Sequence, residues 1–412
     1  MNNDRLHIGI DIGTTHVLCV IGVINDGEEK EPSIIGLGSA ENQGMRRGSI
    51  VDADAVAKAT NQAIDEAERM SGRRVDHATV AVGGSYIKSI NSKGVIAVGG
   101  SDREITHDDL ARVEDAAMVI QMPANREIVQ IFPRKYRLDG QDDIKDPLGM
   151  RGIRLEVDAH IVTSATPVIK NIRAVLEQVG VAVESLIVSP IAASEAVLSR
   201  KQRENGSAVI DIGASTTGIA VYEEGEILHT ANIAIGSGHV TNDLAIGLRT
   251  DLQVAEDIKL DYGSAVTNPE KGKTIAIIQS DKEEVKISQR DIDDIVQARL
   301  EELFRLVNRE LQRIHKAGQL PGGVVLTGGG ALMRHIDTFA KDALKLPARV
   351  GAPKHVSGVI EQIDNPQYSV VVGLMLDSMR ADSGAGSQRI ALSQTVNSAK
   401  GIFNSLFRRF KP

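Results

Sequence analysis

The chain has 412 residues, 42% hydrophobic and 25% charged. That balance is ordinary for globular proteins and excludes collagen-like, mucin-like and wholly disordered chains; at about 150 residues per domain it predicts two or three domains. A net charge of −8 and only 3% aromatic residues argue against a nucleic-acid binder, which needs a basic face or stacking rings.

The first apolar stretch carries His7 and Asp11, which a signal peptide would not tolerate. No run reaches the roughly 18 consecutive apolar residues of a spanning helix. The single cysteine, Cys19, excludes an intramolecular disulfide framework and fits a cytosolic setting. A strand over residues 6–13 ends in Asp11-Ile12-Gly13, is followed by Thr14 and Thr15, and leads into a second strand over 17–23. A helix is predicted over 54–70. Residues 85–162 read as a small α+β insertion, with strands within 86–98, 127–138 and 153–163, a helix over 107–118, and turn chemistry at Asp139-Gly140 and Asp146-Pro147-Leu148-Gly149. A helix over 167–179 follows.

Two hundred residues after the first hairpin its pattern returns. A strand ends in Asp211-Ile212-Gly213, followed by Ala214, Ser215, Thr216 and Thr217, with a second strand over 218–222. One supersecondary unit repeated at so long a period indicates two similar lobes. The chemistry of the turn is specific. Glycine lets backbone approach a phosphate, successive N–H groups and hydroxyls donate to its oxygens, and an Asp holds Mg²⁺ through water. Two such hairpins would grip a triphosphate from both lobes, with Asp11 and Asp211 at the metal. Gly236 and Gly238 open a helix over 240–248, a phosphate-facing N-terminus. Glu256 and Lys259, one helical turn apart, either flank a ribose and adenine or form a solvated ion pair. The helix over 291–315 has a core-facing stripe. Strand residues 324–327 run into Gly328, Gly329 and Gly330, a flat surface for a base or sugar. There is no P-loop, no dinucleotide fingerprint and no His-Glu-x-x-His zinc pair.

From residue 381 to 398 the chain is small, polar and linker-like, and after Asp382 it has no acidic residue. The tail over 399–412 places Ile402, Phe403, Leu406, Phe407 and Phe410 on one helical face, edged by Lys400, Arg408, Arg409 and Lys411. Half-burying five such side chains at a membrane surface gains roughly 4–7 kcal/mol, and each basic residue adds about 1 kcal/mol on anionic lipid. This is a weak, reversible anchor that polymerisation would strengthen.

With these residues the chain resembles the actin, Hsp70 and sugar-kinase superfamily, through Asp11–Thr15, Asp211–Thr217 and Leu326–Ala331. Within it the chain is similar to the FtsA family of bacterial cell-division proteins. That likeness extends over Gly44–Asp52, Asn91–Gly94, Tyr136–Gln141, Asp146–Met150 and the tail. The resemblance implies an α/β, two-lobed actin-like ATPase fold with an inserted small α+β subdomain and a C-terminal amphipathic helix. The first lobe core would be 1–84 plus 163–200, completed by about 355–380, with the insert at 85–162. The second lobe core would be 201–230 plus 303–354, and its subdomain 231–302.

The resemblance also implies ATP and Mg²⁺ as ligands, actin-like filaments of the chain itself, and docking of the FtsZ C-terminal peptide on 231–302. It implies contact with later division proteins and residence at the division site, on the cytoplasmic side of the cell membrane. One departure bears on activity. Many actin-like ATPases place an acidic or amide residue before the Pro of the connecting motif, and here Ser189 precedes Pro190. A missing water-positioner predicts slow or absent hydrolysis. The rivals are a small-molecule kinase of the superfamily and a pilus-assembly relative; neither accounts for the tail.

Overall fold

A computed structural model describes residues 5–24, 32–100, 102–267, 274–278, 284–358 and 360–382. Each lobe is built on a mixed sheet that begins with an antiparallel meander. In the first lobe His7–Ile12, His16–Ile24 and Pro32–Glu41 pair in sequence, His77–Val82 and Ala182–Val188 join in parallel beside His7–Ile12, and Ser357–Gly358 closes the far edge. The second lobe repeats the plan with Ser207–Ile212, Thr217–Glu223 and Glu226–Ile233, extended in parallel by Val324–Thr327 and Ala348–Val350. The inner strands are continuous apolar runs because helices cover both faces. Ile8, Ile10, Val209 and Ile210 are fully buried.

The helices predicted within the described residues form, several with capped ends. Ala53–Ser71 begins where the Asp52 carboxylate accepts the Ala55 N–H at 3.0 Å and stops at Gly72 in the left-handed region. The 25-residue helix Gln289–Arg313 starts two residues earlier than its apolar stripe predicts, because Ser288 caps it. Its stripe Ile292, Val296, Leu300, Phe304 and Leu311 is core.

Two helices lie between the lobes. Ser189–Val197 is buried from Pro190 onward, and Ser369–Asp382 packs on it and on strand His7–Ile12. The latter runs two residues into the stretch read as linker. Glu195 is entirely buried and ion-paired with Arg203, at 3.0 Å, and with Arg380.

The insert is a four-stranded antiparallel sheet in the order Lys88–Ala97, Arg154–Ala165, Arg126–Leu138, Gln141–Ile144, with helix His107–Met118 on one face. It has its own core around Ile105, Val113, Ile131, Leu155 and Val157, while Val129, Phe132 and Val162 of its long strands belong to the first-lobe core. Arg126 clamps the root, donating to the carbonyls of Tyr86 (2.8 Å) and Thr163 (2.9 Å). The other sheet face reaches the second lobe. Ser89 Oγ donates to Thr230 O at 2.7 Å, and His160 Nε2 lies 2.8 Å from Thr230 Oγ1. Burial, helped by His229 and Arg134, pushes His160 down to about 3, so it is neutral in this contact. The linker from residue 383 onward and the tail lie outside the described residues, and with them the tail positions Ile402, Phe403, Leu406, Phe407, Arg408, Arg409 and Phe410.

Candidate nucleotide site

The two Asp-Ile-Gly turns are built alike. In each, the glycine N–H closes the hairpin on the carbonyl three residues on, Gly13 to His16 and Gly213 to Thr216, both at 2.9 Å. Strand pairing fixes Ile12 opposite Val17 and Ile212 opposite Thr217. The hydroxyls then divide. Thr217 is fully buried and its hydroxyl donates to Ile235 O at 2.8 Å, so it is part of the frame. Thr14, Thr15, Ser215 and Thr216 are exposed or partly exposed, and none of their hydroxyls is engaged by a described residue. Four hydroxyls therefore remain for an oxyanion.

The carboxylates carry the electrostatic signature of a cation site. Asp11 is pushed up to about 7, by burial first and then by the charge of Asp211; burial pushes Asp211 up to about 6. Two carboxylates whose ionisation burial disfavours, beside open hydroxyls, would be relieved by a divalent cation. Among the described residues no cluster of three or more protein metal ligands exists. The two Asp carboxylates are a donor set that would suit Mg²⁺, which takes one or two carboxylates plus waters and phosphate oxygens.

The glycines predicted to touch nucleotide have distinct places. A Cβ at Gly328 (φ +80°) would strike an Asp211 carboxylate oxygen, and one at Gly330 would lie 2.9 Å from Ile212 O. Both pack the triple-glycine turn on the second Asp strand. Gly329 is exposed, with open space where a side chain would go, and is the member of the three that can face a ligand. The turn continues as a single 3-10 turn, Gly329–Leu332, and the next α-helix begins only at Ile336.

Gly236 and Gly238 also pack on the second turn. The helix Ser237–Leu248 spends its first N–H groups there, Ser237 on Gly213 O and Gly238 on Ala214 O, both at 2.8 Å, while the Gly236 N–H donates to His239 Nδ1 at 3.1 Å. This N-terminus braces the phosphate turn instead of presenting those groups to a phosphate.

Glu256 and Lys259 come together as a pair at 2.7 Å, closed by Thr241, whose hydroxyl lies 2.5 Å from Glu256 Oε2 and accepts from Lys259 Nζ at 3.0 Å. Lys259 is buried, so the pair is not simply solvated. His16 is exposed.

Two elements have no counterpart among the residues read from sequence as binding. Asn42 is buried and braces the first turn: its Nδ2 donates to Gly13 O at 2.7 Å, its Oδ1 accepts the Gly44 N–H at 3.0 Å, and its own N–H reaches Thr15 O at 2.8 Å. Asn42→Ala is expected to cost about 1–3 kcal/mol in a denaturant titration, because a buried carbonyl and N–H lose their partner, and to weaken nucleotide binding by loosening the turn. The other is the convergence of Ser189 with Gly83, where a Cβ would lie 2.9 Å from Ser189 Oγ, and of Gly48 with Gly84 and the Thr216 methyl. Sequence signals marked Gly44–Asp52, Ser189 and Thr216 separately. The meeting of four chain segments there is tertiary.

Comparison with known proteins accords with this architecture. Residues 84–163 match the SHS2 domain inserted in FtsA, and residues 208–373 match the cell division protein FtsA family. The chain is 34% identical over 393 residues to cell division protein FtsA of Pseudomonas aeruginosa, covering 95% of this chain and 93% of that protein. It is 35% identical to FtsA of Bacillus subtilis, over 91% of this chain and 84% of that one. Among solved structures, the PilM–PilN type IV pilus biogenesis complex is similar at a TM-score of 0.65 and 18% identity, covering 90% of this chain and 98% of the other. MreB5 of Spiroplasma citri bound to ADP is similar at a TM-score of 0.57 and 17% identity, covering 93% and 98%. The fold is the two-lobed actin-like ATPase fold with an inserted subdomain. Within that class the chain belongs to the FtsA family of cell division proteins.

Proposed function

We propose that the chain binds Mg²⁺-ATP between its lobes and assembles into actin-like filaments on the cytoplasmic face of the cell membrane. There it tethers the FtsZ ring through its C-terminal amphipathic helix and contacts later division proteins. The observation that carries the nucleotide part is the pair of equivalent Asp-Ile-Gly turns, with four open hydroxyls and two carboxylates whose ionisation burial disfavours. MreB5 structures bound to ADP and to AMPPNP, similar in fold, support it. Calorimetry tests it: ATP should bind with Mg²⁺ and lose most of its affinity in EDTA, and equal binding in both would contradict the metal assignment.

Docking of the FtsZ C-terminal peptide on 231–302 is supported by Ile246, Leu252 and Leu260, apolar side chains 58–78% exposed on the two helices there. The membrane part rests on the tail's pattern. Among the described residues no helix is long and apolar enough to cross a membrane, so attachment would lie along the surface. ATP would serve as an assembly ligand with slow turnover. Ser189 stands where a water-positioning carboxylate or amide would be needed, and Glu195, the nearest acid along that helix, is committed to Arg203 and Arg380. A kinase would instead show turnover stimulated by a small hydroxylated or carboxylate substrate.

A further inference from the structure

The motif Gly44–Asp52 forms a miniature hairpin beside the second Asp-Ile-Gly turn of the candidate site. Strands Met45–Arg46 and Ser49–Ile50 pair, with Arg47 and Gly48 as the two-residue turn. Both turn residues have positive φ, 51° at Arg47 and 75° at Gly48. Such turns favour Asn, Asp or Gly at the first position; arginine there carries a backbone cost. Side chains held in a disfavoured conformation cluster where they are used.

The hairpin tip is wedged between the lobes. A Cβ at Gly48 would lie 2.7 Å from Gly84 Cα in the first lobe and 3.7 Å from the Thr216 methyl in the second phosphate turn. Arg47 adjoins this wedge and is exposed, and neither Arg46 nor Arg47 has an acidic or hydrogen-bonding partner among the described residues. The Gly84 backbone lies against the Gly48 tip and the Ser189 hydroxyl lies beside Gly83, and these neighbours are uncharged. The surfaces read as adenosine-facing, around Gly329, belong to the second lobe. The Gly48 tip approaches Thr216 of the second Asp-Ile-Gly turn, so a phosphate is the part of a bound nucleotide that would lie beside this hairpin.

We propose that Arg47 binds the terminal phosphate of ATP, so that this hairpin distinguishes ATP from ADP. This rests on the nucleotide reading above. A guanidinium supplies the positive charge that the two Asp carboxylates and neutral hydroxyls lack, and it matches phosphate oxygens in bidentate geometry. The contact would also join the first-lobe hairpin to a ligand held by the second lobe, which favours the closed cleft only when the third phosphate is present.

The test uses the full chain with Mg²⁺-ATP and Mg²⁺-ADP titrated separately, and Arg47→Asn as the main variant. Asn is the residue this turn favours, so the hairpin should be kept or strengthened and the melting temperature should not fall. The expected result is a tenfold or greater loss of ATP affinity with ADP affinity changed less than twofold, partly rescued in Arg47→Lys, with Arg46→Ala near wild type. Equal losses for ATP and ADP, no loss for either, or the ATP-selective loss appearing in Arg46→Ala instead would overturn the assignment. If the wild-type chain binds neither nucleotide, the nucleotide reading itself fails and the Arg47 assignment fails with it.

Discussion

Asp11→Asn is expected to abolish Mg²⁺-dependent ATP binding while making the nucleotide-free protein more stable at pH 8. The sign follows from the carboxyl's position. Burial and Asp211 raise its pKa from 3.8 to about 7, so the folded state resists its ionisation. Below about pH 4 that penalty is absent. It grows as pH rises toward 7 and is constant above. The full shift corresponds to about 4 kcal/mol at about 1.4 kcal/mol per unit, and water in the partly open cleft reduces it to the order of 2 kcal/mol. Asn has no charge to desolvate and escapes the penalty, but cannot hold a cation's charge. Calorimetric scans at pH 5 and pH 8 should show a larger gain at pH 8, and the shift that Mg²⁺-ATP gives the parent should disappear. A variant that is less stable at pH 8 and still responds to Mg²⁺-ATP would contradict the assignment of Asp11. Stability lost to keep two acids together is the usual mark of a binding site.

Gly328→Ala should be among the most damaging single-methyl additions in the molecule, and Gly329→Ala nearly silent for stability. At Gly328 the backbone sits at φ +80°, and the new methyl would strike the Asp211 carboxylate and approach Ile212 O to 2.7 Å. Left-handed strain and overpacking each cost about 1–3 kcal/mol, so a loss of about 2–5 kcal/mol is expected. Asp211 would also be displaced, with loss of ATP binding even in the folded fraction. One residue on, nothing lies within 4 Å of the added methyl. Stability should move by less than about 0.5 kcal/mol, and the effect should fall on nucleotide affinity alone, through steric exclusion at the ligand-facing surface. Denaturant titrations of the two variants beside calorimetry with Mg²⁺-ATP separate these outcomes. Equal destabilisation by both would refute the division of roles within the triple glycine.

The architecture was legible because its signals are local and duplicated. Asp-Ile-Gly followed by hydroxyls occurs twice, each time between apolar strands, and the insert announces itself by a change of texture and by turn residues such as Asp139, whose carboxylate accepts the backbone N–H groups of Ile153 and Arg154. What could not be read was which residues of each motif are frame and which face the ligand. Thr217 and Thr216 are adjacent and alike in composition, yet one hydroxyl is buried on Ile235 and the other is open. Gly236 and Gly238 looked like phosphate donors because a helix N-terminus offers N–H groups, but the second turn takes those of Ser237 and Gly238. Glu256 and Lys259 were legible as a pair, whereas Thr241 enters from another helix. Asn42 and the insert's contact with Thr230 depend on residues 29 and 70 or more positions apart, separations at which no periodicity carries information.

Vesicle flotation with purified FtsZ bears most directly on the proposed tethering. FtsZ, anionic-lipid vesicles and Mg²⁺-ATP would be mixed with the full chain or with a chain ending at Ser398. FtsZ should float with the full chain and stay at the bottom of the gradient with the shortened one. If FtsZ floats equally with both, attachment lies on another surface; if the full chain itself does not float, the tether is wrong and a soluble role within the fold class takes its place.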